Sequence, residues 1–180
     1  MSKLGYEQDL ARGIDKLLNK GDEGKNKTAE DSGSENRPTV NSLLERVKIF
    51  LTDGNWESAD QYCEKVLDID PKNAQAYLYK LMSELKLTRQ DDIVSVGEKI
   101  KNYGDYKKAY DFGDDNFKQM LDTYSNQMIY NEAVEIIDNA VKTSDCERAK
   151  EKFEKLGNFK DSAEKAGYCD DKINQINQGL

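Results

Sequence analysis

The sequence predicts an all-α protein, a short α-solenoid of helical hairpins, and three observations carry that expectation. An aromatic residue followed three positions later by a small one recurs as Trp56-x-x-Ala59, Tyr106-x-x-Ala109, Tyr130-x-x-Ala133 and Phe159-x-x-Ser162, and three of these follow Gly-Asn or Gly-Asp directly. Between these signatures, apolar residues return at steps of three and four, which lines one face of an α-helix. Of the 180 residues only 37% are hydrophobic and 34% are charged, which suits a thin array in which each hairpin buries one face and wets the other. This length supplies a core without disulfides or metals.

In chain order, Leu10, Ile14, Leu17 and Leu18 form a short stripe at helical spacing, with Lys16 and Lys20 placing positive charge near its end and Gly21 closing it. A short amphipathic helix is therefore expected over residues 1–20. Residues 21–38 read as a charged, disordered linker, because lysine, glutamate, serine, asparagine and glycine with little besides Ala29 cannot bury enough surface to offset their ordering entropy. The tethered helix has three options: the protein's own groove, another protein, or a membrane surface. Four apolar residues among mixed charges favour self-docking or a loosely ordered end over a membrane anchor.

A helical repeat domain is expected over residues 39–180. In its first unit, residues 40–73, Leu43 and Phe50 fall seven apart on one helix and Asp53-Gly54-Asn55 breaks it. Trp56 opens a second helix on which Ala59, Cys63 and Val66 keep modest side chains on the face that meets the first. Proline lacks an amide hydrogen and disfavours helical geometry before it, so Asp70-Pro71 ends this helix before Ala74 starts another. The spacing of Leu43, Phe50, Ala59 and Pro71 resembles the tetratricopeptide (TPR) framework, with leucine for the usual first tryptophan, Arg46-Val47 for Leu-Gly and Cys63 for the second aromatic.

The echoes extend the resemblance as TPR-like hairpins of irregular length. Ile93, Val96, Gly97 and Ile100 precede the turn before Tyr106, and Gly113-Asp114 stops the outgoing helix early. Phe117, Leu121 and Tyr124 form the incoming stripe of the next hairpin, with Ala133, Ile137 and Ala140 on its outgoing helix. In the last, Phe153 faces Ser162, Ala166 and Cys169. The runs from Gly54 to Pro71 and from Phe153 to Ser162 also resemble a group of bacterial TPR-containing proteins, over about residues 40–172. Members often add a zinc ribbon or a membrane segment, and neither pattern is present here.

The resemblance implies a right-handed superhelix whose concave side binds a protein or peptide. Its positions carry Asn41, Leu44, Lys48 and Leu51 on the first helix and Gln75, Leu78, Met82 and Leu85 on the helix beginning at Ala74. The basic and asparagine clamp that some TPR domains use for a terminal carboxylate is not reproduced. An apolar groove for a partner helix or extended segment fits better, with flexible Met82 adapting to shape. The competing reading is that later hairpins cover these leucines as ordinary core. No enzymatic activity comes with the resemblance, so a non-catalytic scaffold or adaptor is the expectation. The alternative is a histidine-free enzyme or a small-molecule-binding helical domain.

Chemistry-bearing patterns are few. A net charge of −8 argues against nucleic acid, which needs clustered Lys and Arg. The chain contains no histidine, which removes the commonest general base, the Ser-His and Cys-His pairs and most zinc sites. Residues Gly21 to Thr28 fail the phosphate-loop pattern, whose first glycine falls on Asn19. The acidic run around Asp111 to Asn116 lacks the alternating ligands of a calcium loop. Asp91-Asp92 and Asp114-Asp115 sit where helices begin and read as caps. Cys63, Cys146 and Cys169 read as small core residues. No metal or cofactor is expected. The absence of a long apolar run or of a leader-like start sets a cytoplasmic, membrane-free expectation, and oligomeric state stays open.

Overall fold

The computed structural model describes residues 38–179. The N-terminal helix expected over 1–20 and the linker up to residue 37 lie outside them. The described residues are helical, with no strand among them. The chain divides into two compact units, one holding residues 38–93 and Lys101–Leu121, the other Val94–Ile100 and residues 122–179.

The first unit opens with α1 (Val40–Thr52), α2 (Trp56–Ile69) and α3 (Ala74–Leu85), and each boundary follows from local chemistry. Side chains cap all three: the amide of Ser42 donates to Thr39 Oγ1 at 3.2 Å, that of Ser58 to Asn55 Oδ1 at 3.2 Å, and that of Ala76 to Asn73 Oδ1 at 2.9 Å. Gly54 takes φ +70° between α1 and α2, a conformation that carries no Cβ penalty only for glycine. Asp70, before the proline, leaves helical space at φ −131°, ψ 87°. The Trp56 signature thus sits where expected, at a helix start.

Packing follows the small residues. Ala59, Cys63 and Val66 of α2 are fully buried, and α2 packs against both α1 and α3, while α3 also meets α1 and α4 (Gly104–Phe112). That makes α3 the central helix of the unit. Ala76, Leu78, Tyr79, Leu81, Met82 and Ser83 are all buried, covering more than half its circumference at about 100° per residue. Lys80, on the remaining strip, reaches back to Asp60 of α2 at 3.0 Å and to Glu64.

Two expectations about the echoes are corrected. The segment with Ile93, Val96, Gly97 and Ile100 is not an α-helix; it forms two 3-10 segments, Gln90–Val96 and Glu98–Asn102, parted by Gly97 at φ +77°. No turn precedes Tyr130 either, because α5 runs unbroken from Asp115 to Asp138. Nothing between Tyr124 and Tyr130 is glycine or proline, so no residue interrupts the hydrogen-bond ladder. Unlike Trp56, Phe159 lies in the turn, and its helix begins at Ser162, whose hydroxyl donates to the Phe159 carbonyl at 2.6 Å.

The second unit packs α6 (Thr143–Leu156) against α7 (Ser162–Asn177). Its core joins Ala133, Ile137 and Ala140 to Cys146, Ala149, Phe153, Ala166 and Cys169, so the outgoing stripes read from the sequence do meet. The acidic pairs act as caps: Asp92 accepts from the Arg89 amide at 3.0 Å and Asp114 from that of Phe117 at 2.8 Å.

Candidate interaction surface

Helices α1 and α3 stand against one another, as the expected groove requires, but its eight positions separate by environment. Asn41 and Lys48 are exposed, while Leu44, Gln75 and Leu85 are half-buried. Gln75 donates through Nε2 to Gln90 Oε1 at 3.3 Å. Leu51, Leu78 and Met82 retain only 2%, 0% and 1% of their accessible surface. These three present no face to a partner: Leu78 and Met82 because the central position of α3 leaves it few open sides, and Leu51 because it is buried on α1.

Polar and aromatic groups gather instead on outer edges. Between α1 and α2, the rings of Phe50 and Tyr62 lie 5.1 Å apart and tilted by 58°. Arg46 Nη1 donates to the Tyr62 hydroxyl at 3.1 Å, and Lys65 Nζ stands 3.8 Å from the ring centroid. The Arg46 hydrogen bond, then the Lys65 charge, holds the Tyr62 phenol below its ordinary pKa. A second aromatic pair, Tyr77 and Phe112 at 5.7 Å, carries Lys108 at 4.9 Å over Tyr77 and Lys72 at 5.9 Å over Phe112. Lys108 also pairs with Asp105 at 3.6 Å.

In the second unit, Tyr130 donates to Asp161 Oδ1 at 2.5 Å and sits between Phe153 and Phe159. Lys160, at φ 54°, lies 4.9 Å above the Tyr130 ring, and burial draws its amine below the ordinary value. Lys152 bridges Glu98 at 3.2 Å and Glu132 at 3.0 Å. These contacts tie elements within the unit together.

Among the described residues no group of His, Cys, Asp and Glu side chains is arranged to hold a metal ion. Nor is any helix of theirs long and apolar enough to cross a membrane. Sequence reasoning passed over Arg46, Tyr62 and Lys65; the available signal was the i, i+3 spacing of Tyr62 and Lys65, which puts a cation beside an aromatic face. No family model, no curated protein and no solved structure matches the chain.

Proposed function

We propose that this chain is a non-catalytic interaction scaffold or adaptor, a short right-handed superhelix of TPR-like hairpins that binds a segment of a partner protein in the cytoplasm. The observation that supports this reading is the contact of α1 with α3 as well as with α2. Such side-by-side stacking of successive helices is what a repeat array needs, and it leaves outer faces free for a ligand. With Leu51, Leu78 and Met82 in the interior, the accessible part of the expected face reduces to Asn41 and Lys48 with Leu44, Gln75 and Leu85 beside them.

The test is reconstitution. Cross-linking the full chain in its native host identifies neighbours by mass spectrometry, and each is purified and titrated by calorimetry. A saturable binary complex is expected. If none of the neighbours binds the purified chain directly, the scaffold reading is wrong.

A further inference from the structure

We propose that the outer edge of the α1/α2 hairpin, formed by Arg46, Ile49, Phe50, Tyr62, Lys65 and Ile69, docks an acidic, aliphatic-bearing segment of a partner protein. The inference rests on the scaffold reading and assigns it a surface and a ligand chemistry.

Charge selects the ligand. In a chain of net charge −8, three carboxylates beside the two cations of this edge are turned elsewhere: Glu45 pairs with Lys48 at 2.7 Å, and Asp60 and Glu64 both hold Lys80; Asp68 and Asp70 flank Ile69 at its far end. Arg46 and Lys65 consequently meet no carboxylate among the described residues. The guanidinium is already oriented by the Tyr62 hydroxyl, and its remaining N–H groups suit a carboxylate. Orientation before binding lowers the entropy lost on association.

Apolar groups select a peptide rather than a polyanion. Ile49 is 58% exposed and Ile69, one helical turn beyond Lys65, is 55% exposed, so aliphatic surface flanks the aromatic pair on both helices. Two cations on an acidic chain are too few to hold a phosphate backbone. Alternating carboxylate and aliphatic side chains match the edge group by group.

The experiment follows backbone amide signals of the full chain by NMR during titration with three probes. These are a short end-blocked peptide with Asp-Glu pairs beside leucines, the same peptide with Asn-Gln in their place, and an oligouridine. The acidic peptide should shift the signals of residues 46, 49, 62 and 65, bind about tenfold more tightly than the amide peptide, and weaken with salt. Arg46→Glu with Lys65→Glu, helicity intact, should reverse that preference. Equal affinity for the two peptides, shifts centred elsewhere, tighter oligouridine binding, or self-association through this edge would each overturn the proposal. The peptide comparison on the unsubstituted chain stands even if the double variant misfolds. A native partner whose binding survives the double variant sinks this site but not the scaffold reading; failure to find any binary partner sinks the scaffold reading itself.

Discussion

At the scale of single residues, two positions show how little room the helix crossings leave. Ala59 is fully buried where α2 meets its neighbours, so Ala59→Leu should cost about 1–3 kcal/mol by overpacking, read as a lowered denaturant midpoint. An unchanged midpoint would mean that the crossing has space. Gly113 differs in kind: its φ of −65° is open to any residue, yet a Cβ there would stand 2.6 Å from Phe117 Cδ1 and 3.1 Å from the Ala109 carbonyl oxygen. Gly113→Ala should therefore destabilise on the same scale. Gly104, where an added methyl group would meet nothing within 4 Å, serves as the contrast, and Gly104→Ala should be neutral or stabilising by up to about 1 kcal/mol. The tight place of Ala59 was legible because a small residue recurs at a fixed step from an aromatic. Gly113 was legible only as a helix stop, since the approach of Phe117 is a fact of three dimensions.

At the scale of elements, α5 shows which part of the pattern was readable. The two stripes assigned to separate helices fall on one helix, with only Ala140 beyond its end. Burial moves from Met120, Leu121, Tyr124 and Met128 to Ile129, Ala133 and Ile137, nearly opposite faces at 3.6 residues per turn. The match of Tyr130-x-x-Ala133 to a turn signature suggested a break that no glycine or proline supports. Elsewhere a breaker residue coincided with a real end, as at Gly54, Pro71 and Gly113. Asn126→Pro separates the alternatives. Inside a continuous helix it removes a ladder hydrogen bond and should cost about 3 kcal/mol or more, seen as a fall in thermal midpoint and helical circular dichroism. A loop between two helices would accept it with little change.

At the scale of the whole molecule, what the sequence could not convey is who neighbours whom. Leu78 and Met82 were open to both a groove and a core reading; the contacts of α3 with α1, α2 and α4 and their burial place them inside. Charges behave likewise, because Lys80 takes its carboxylates from 16 and 20 residues away, beyond any helix-local pairing rule. That same arrangement predicts how stability depends on pH. Burial, first of all, pushes the Cys63 thiol from 9.0 up to about 12 and raises the Tyr79 phenol above its ordinary 10.0. Burial works against the Lys80 ammonium, but hydrogen bonds to Glu64 and then Asp60 outweigh it and hold its pKa above 10.5. All three groups bind their proton more tightly in the folded chain than in the unfolded one. Their contributions are complete below the unfolded values and are lost as pH climbs through the folded ones. Tyr62 and Lys160 shift the other way and offset part of this, Tyr62 only weakly because it titrates in contact with solvent, where such effects are screened. The thermal midpoint should therefore hold steady up to about pH 9 and decline above it. Cys63→Ala, whatever its cost at neutral pH, should flatten the decline between pH 9 and about 12 by removing one of the three groups. A midpoint that rises over that range, or a slope indifferent to the substitution, would show that Cys63 does not hold its proton in the way its burial requires.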